Sequence, residues 1–261
     1  MIHYVYGNGE SRKGFGVARF NGVSWGCNAV YRDTQVDNLV VMDYGMQGEV
    51  IQSGYAKINQ CYFADWNVIP TEMKTEFTKD FDPKQIKEFG TDKGVCVING
   101  KKVETLPESG ETIISKEELK DLKARSEKES GLYIIYPDEK DLIQPITDPK
   151  EWSAGSTAVH LACQDNGCKE VYMFGFDLSS FDRTKNINNI YKGTDNYLPE
   201  YCKGTSPHAW RQQLYLTFRE FSNIKFNWIG HDLDEDFLFV KDSAIKECAN
   251  VEFKTYDNIR L

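Results

Sequence analysis

At 261 residues, 40% apolar and 27% charged, the chain can bury a substantial core without disulfide or metal staples. Its net charge of −9 argues against a broad nucleic-acid surface, which needs clustered Lys and Arg, and leaves room only for a small basic groove. No run approaches the ~18 apolar residues of a membrane span, the N-terminus lacks the basic and apolar parts of a signal peptide, and the 7 cysteines read as reduced thiols of a cytoplasmic protein.

Ile2–Tyr6 is an apolar β-type run that empties into Gly7-Asn8-Gly9-Glu10-Ser11, a glycine turn carrying a hydroxyl residue. Val23–Ala29 predicts a second strand, with another asparagine, Asn28, at its carboxyl end. In open α/β sheets ligands bind beyond the carboxyl ends of strands, where glycines admit phosphate and short polar side chains reach a sugar or base. Two strand-end asparagines so early make a nucleotide-type site the first hypothesis. The alternative is a pair of ordinary polar turns, since Asn-Gly is a common turn pair. Leu39–Met42 predicts a third strand, Gly48–Ile58 a short helix and Cys61–Trp66 another strand. Residues 71–130 read as an embellishment on the sheet. Within them Gly94–Ile98 predicts a strand turning at Asn99-Gly100 into Lys102–Leu106. Ser115-Lys116-Glu117-Glu118 is a capping box for a charged, solvated helix to about Ser130. Leu132–Tyr136 returns to strand pattern and Pro137 ends it.

In Trp152–Cys163 small hydroxyl residues open a helix whose positions 158, 159 and 161–163 are apolar, and Asn166-Gly167 stops it. Lys169–Gly175 is a buried strand ending in Phe176-Asp177, so strand, helix and strand make a βαβ unit whose loops converge on one rim. Residues 179–207 are polar, with Asn and Tyr interleaved and no periodicity; a loop of that length serves as a lid or is disordered. His208–Phe221 predicts an amphipathic helix, Ile224–Ile229 a strand, and Asp236–Cys248 a terminal strand or helix. The expected fold class is α/β: a Rossmann-like three-layer α/β/α domain over residues 1–261 with a mainly parallel sheet, an insertion about 71–130 and a lid about 179–207.

Several candidate residues keep two readings. Ser156 and Thr157 either cap a helix or face a ligand. Asp177 is either a rim carboxylate or a turn cap. His160, between Val159 and Leu161, reads as a packed histidine. Asp232, Asp234 and Asp236 form either a Mg²⁺ site or, more simply, a solvated acidic turn. Cys163 and Cys168 lack the spacing of a zinc pair. Arg12, Lys13, Arg19 and Arg32 near the glycine turn could begin a groove for a nucleic-acid acceptor, and tyrosines 191, 197, 201, 215 and 256 offer stacking faces and hydroxyls to a small molecule.

In chain order, Gly7–Ser11, Cys27-Asn28, Ser153–Thr157, Gly167–Asp177 and Tyr191–His208 resemble the bacterial lipooligosaccharide sialyltransferases and the related flagellin-associated nonulosonate transferases of the motility accessory type. The likeness is closest over Gly167–Asp177 and does not extend to residues 45–150. The resemblance implies a nucleotide-sugar donor, a CMP-sugar by preference, inverting transfer to a glycan or other hydroxyl acceptor, and no bound metal. It implies that Asn8 and Asn28 contact the nucleotide phosphate and ribose, and that Ser156 and Thr157 face the cytidine or sugar. Tyr191 and Tyr197 would hold the phosphate from the lid, and His208 would be the catalytic base. Two departures stand out: Glu10 replaces the proline usual in the glycine turn, and the lid carries extra residues before its histidine. Of the four histidines, His208 suits a base best, because a helix N-terminus disfavours imidazolium. His3 lies in a strand, and His231 precedes acids that favour its charged form. Competing readings are a pterin-type pyrophosphokinase using ATP and Mg²⁺, a viral glycosyltransferase acting on DNA bases, and a non-catalytic binding module.

Overall fold

The computed structural model describes all residues except 16–20, 65, 70–74, 76–77, 80–81, 91–95, 100–131, 139, 150–151, 179–185, 205, 232–242 and 260–261. In chain order its elements are β1 (Ile2–Tyr6), β2 (Val23–Cys27), β3 (Asn38–Val41), α1 (Tyr44–Gln52), β4 (Gln60–Phe63), β5 (Trp66–Ile69), β6 (Ile86–Gly90), β7 (Cys96–Asn99) and β8 (Leu132–Tyr136). They continue with β9 (Ile143–Pro145), α2 (Ala154–Gln164), β10 (Glu170–Phe174), α3 (His208–Glu220), β11 (Lys225–Gly230), α4 (Ser243–Lys246) and β12 (Val251–Thr255). The fold is α/β, with helices flanking an eight-stranded sheet of order β12-β11-β10-β1-β2-β3-β4-β9. The pairings β12–β11, β11–β10, β10–β1, β1–β2, β2–β3 and β4–β9 are all parallel.

The chain divides into two compact units, Met1–Val40 with Glu151–Leu261, and Val41–Lys150. In the first, β1, β10 and β11 are buried along nearly their whole length, as strands covered on both faces must be. Register sets Tyr4 beside Tyr172 and Tyr6 beside Phe174, and the rings of each pair pack at 5.6 and 5.3 Å between centroids. Phe15 stacks on Phe174 at 5.3 Å and meets Tyr256 at 4.7 Å, extending the aromatic layer. Alternation turns His3, Val5, Val171 and Met173 to the opposite face. The small buried side chains Ala154, Ala158 and Ala162 let α2 lie close against β1, β2 and β10, with α3 packed on α2. The second unit holds α1, the β4–β9 pair and a mixed sheet of order β5-β7-β8-β6. Among the described residues no helix is long and apolar enough to cross a membrane.

Several expected boundaries move. The helix placed at Gly48–Ile58 is α1, which starts at Tyr44; Gly48 lies inside it because the Phe89 ring of β6 occupies the space a side chain would need. Gly54, at φ +74°, follows α1, and Tyr55–Lys57 is a separate short 3₁₀ turn. β2 stops at Cys27 because Asn28 turns left-handed, at φ +47°. Cys61–Trp66 is divided between β4 and β5. The described part of Asp236–Cys248 contains the short α4, and β12, beyond it, was not expected. The strand at Lys102–Leu106 and the helix from Ser115 to Ser130 lie outside the described residues, as does most of the 71–130 insertion.

One buried contact has a consequence for stability. The Trp25 indole N–H donates to His3 Nδ1 at 3.0 Å, which requires that nitrogen to be unprotonated. Burial lowers the His3 pKa below 6.5, against the opposing pull of Asp165, whose Oδ2 lies 3.6 Å from Nε2. A depressed folded value means the unfolded chain takes up the proton first. The stability contributed by neutral His3 is therefore full above about pH 6.5 and is lost as pH falls toward the lowered folded value. His3→Gln, which keeps an acceptor for the indole, should lose less stability than wild type between about pH 7 and 5. Denaturant melts that fall in parallel across that range would refute the linkage.

Candidate functional site

The chain moves outward from β1 through β2 and β3, then returns on the other side of β1 with β10, β11 and β12. Such a reversal of strand order opens a crevice at the carboxyl ends of the two central strands. Here those ends are the glycine turn after β1 and Gly175–Leu178 after β10. The Gly7 and Gly9 N–H groups donate to Phe174 O at 2.7 Å and Gly175 O at 2.8 Å. A Cβ at either glycine would lie 2.6 Å from Gly175 O, and at Gly9 also 2.7 Å from Asp177 Oδ2. The glycines thus admit the backbone of β10. The next amides are also engaged: Glu10 N–H donates to Asn188 Oδ1 at 2.8 Å and Ser11 N–H to Asp177 Oδ2 at 2.8 Å. The Ser11 hydroxyl donates to the other oxygen of Asp177. Burial pushes the Asp177 carboxyl up, with the Ser11 and Asn188 hydrogen bonds opposing it. Asp177 accordingly ties the exits of β1 and β10 together.

The described part of the expected lid folds over these strand ends. Ile190 N–H donates to Asn8 O at 2.8 Å, and Lys192 pairs with Glu10 at 2.8 Å. The Tyr191 hydroxyl accepts from Arg12 Nη2 at 2.8 Å and donates to Asp33 Oδ2 at 2.9 Å, while Arg12 Nη1 reaches Asp33 Oδ1 at 3.3 Å. Arg12 and Tyr191 are both buried. Arg12 therefore braces the lid and, through Nε, the Gly7 carbonyl at 3.0 Å, instead of presenting charge to a nucleic-acid phosphate. Tyr197 differs. Its hydroxyl oxygen accepts from Asn8 Nδ2 at 2.9 Å and from the Ala29 backbone N–H at 3.2 Å. Arg32 donates to Thr194 Oγ1 at 2.8 Å and Asp195 O at 2.9 Å, with Cζ 5.9 and 5.8 Å from the Tyr191 and Tyr197 ring centroids.

The structure brings Asn8 and Asn28 to neighbouring strand ends. Tyr6 pairs with Gly26, the Cys27 thiol lies 3.6 Å from Asn8 Oδ1, and Tyr197 links Asn8 to Ala29. Gly7, Gly9, Ser11, Asp177, Tyr191 and Tyr197 belong to the same cluster. Ser156 and Thr157 form a second group at the start of α2, buried at 2% and 0% exposure. Neither is the cap: Ser153 holds that position and directs its own hydroxyl to Ser156 Oγ and to Gln213 Oε1 of α3, at 3.0 and 3.1 Å. Thr157 Oγ1 is buried without a hydrogen-bond partner among the described residues. α2 and α3 each lead into a parallel strand, which puts their N-termini on the carboxyl side of the sheet. His208 is the exposed first residue of α3.

Sequence reading missed Asp33 and Asn188, and named Tyr256 only among five tyrosines suited to a small molecule, without placing it beside Ser11. The first two stand in unpatterned segments. Tyr256, whose hydroxyl lies 3.4 Å from Ser11 Oγ, follows the unexpected β12; the alternation in Val251–Thr255 was the available signal. No group of three His, Cys, Asp or Glu among the described residues is placed to hold a metal, and Arg19, Asp232, Asp234 and Asp236 lie outside them. No protein-family model, curated protein or solved structure matches the chain.

Proposed function

We propose that the protein is a sialyltransferase-like glycosyltransferase that takes a nucleotide-activated sugar, a CMP-sugar by preference, and passes it with inversion to an acceptor hydroxyl. The observation that carries this reading is the pair of N–H donors, Asn8 Nδ2 and Ala29 N, that meet at the Tyr197 hydroxyl oxygen beside Arg32, at the carboxyl ends of β1 and β2 next to the point where the strand order reverses. A Rossmann-like three-layer arrangement suits the parallel pairings. In this reading Asn8 and Asn28 bind phosphate and ribose, and Ser156 and Thr157 bind the cytidine or sugar. Tyr191 and Tyr197 form the lid over the donor. His208 removes the acceptor proton as the acceptor oxygen bonds the anomeric carbon and CMP leaves from the opposite side. No permanent cofactor or metal is required, and the reaction belongs to the cytoplasm.

Thermal stabilisation by CMP, CDP, UDP, GDP and ATP tests the reading, since a ligand that binds only the folded state raises the melting temperature. Selective stabilisation by CMP is the expected result; selectivity for ATP with Mg²⁺ would favour pyrophosphoryl transfer instead. Asn8→Ala should weaken CMP binding by about 1–3 kcal/mol, the loss when a desolvated ligand group keeps no partner. Asn28→Gly should do the same, glycine being chosen because φ at this position is +47°. Titrations giving wild-type affinity in both variants would remove these residues from the site.

A further inference from the structure

Tyr191 and Tyr197, two tyrosines of one segment, are held very differently. Tyr191 is buried and locked between Arg12 and Asp33. Tyr197 is half-buried in a short loop whose residues 193–196 and 198 are exposed. That loop is closed by Gly193 N–H to Leu198 O at 2.8 Å and Tyr197 N–H to Thr194 O at 3.1 Å, and Tyr197, Thr194 and Asp195 tie it to Asn8, Ala29 and Arg32. The two donors at its hydroxyl belong to the sheet. Asn8 Oδ1 lies 3.6 Å from the Cys27 thiol, which also reaches Tyr6 O at 3.5 Å, and the Ala29 N–H is fixed where the chain leaves β2. Two N–H donors converging beside a guanidinium suit an anionic oxygen, and charge-assisted hydrogen bonds are about twice as strong as neutral ones. A phenol oxygen is a weaker occupant of the same place.

We infer that Asn8 Nδ2 and the Ala29 N–H form a binding site for an anionic phosphate oxygen, and that Tyr197 is its displaceable occupant. When phosphate binds, the 193–198 loop swings out together with the Thr194 and Asp195 oxygens, which are among the partners of Arg32. Tyr197 then competes with the phosphate instead of holding it, the reverse of its role in a lid that clasps the donor. The inference rests on the nucleotide reading only for which phosphate is the natural one.

The test measures dissociation constants of inorganic phosphate, CMP and cytidine for wild type, Tyr197→Phe and Tyr197→Phe/Asn8→Ala. Phenylalanine keeps the ring that packs at 5.6 Å against Tyr191, and a melting curve checks folding. Removing the phenol oxygen should tighten phosphate and CMP about tenfold, the worth of two hydrogen bonds no longer broken on binding. Cytidine, which has no phosphate, should bind both proteins alike, and adding Asn8→Ala should cancel the gain. Unchanged, weaker or undetectable phosphate and CMP binding by Tyr197→Phe would overturn the site. A gain for phosphate while CMP binds no more tightly than inorganic phosphate would sustain the site and sink the CMP reading.

Discussion

Gly9→Ala is expected to destabilise the protein by about 3 kcal/mol, the upper end of the over-packing range. The new Cβ would lie 2.6 Å from Gly175 O and 2.7 Å from the Asp177 carboxylate, and neither can retreat cheaply. Gly175 O accepts the Gly9 N–H itself, and Asp177 is held by both donors of Ser11. Relief would separate the exits of β1 and β10, where the proposed site is built. Gly14→Ala is the comparison: its Cβ meets nothing within 4 Å, so only its left-handed φ of +81° opposes the change, at about 1–2 kcal/mol. Urea melts with unchanged slope report the two losses directly. A Gly9→Ala protein more stable than Gly14→Ala would show that the two strand exits are not locked as described.

That glycine turn also shows where sequence reading succeeds and where it stops. β1, β3, β8, β10 and β11 were legible as apolar runs, α2 from its apolar positions and the Asn166-Gly167 stop, and α3 from its amphipathic pattern. The nearness of Asn8 and Asn28 was legible too, since consecutive strands of a parallel sheet end side by side. The reason for the glycines was not. A Gly-Asn-Gly turn looks the same whether it admits a phosphate or a neighbouring carbonyl, and here Gly7 and Gly9 admit Gly175 O. Gly48 misled for the same reason, because what it accommodates, Phe89, lies far along the chain. β12 escaped notice as an edge strand without a fully buried residue, whose Glu252 pairs with Lys225 of β11 at 2.9 Å. The Arg12–Asp33–Tyr191 network depends on partners that no local pattern announces.

His208→Ala is expected to lower turnover by about 10²–10⁴-fold, the usual worth of a positioned general base. The affinity for CMP should stay near wild type, because the base acts on the acceptor. His208 is exposed at the first turn of α3, where an acceptor can reach it, and Pro207 before it is buried. His231 is the rival. It is also exposed, and its ring packs against Tyr256 at 4.9 Å between centroids, next to the Ser11–Asp177 pair. His231→Ala should therefore keep most of the turnover. If instead the His231 variant is inactive and the His208 variant retains wild-type turnover, the base has been assigned to the wrong histidine.

Release of CMP from a CMP-linked nonulosonate by the purified protein, resolved by chromatography, tests the donor assignment most directly. A CMP-sugar transferase should free CMP faster than the protein-free control, and the release should fall with His208→Ala when an acceptor hydroxyl is supplied. Background-level CMP release, together with turnover of a UDP- or GDP-linked sugar under the same conditions, would contradict it.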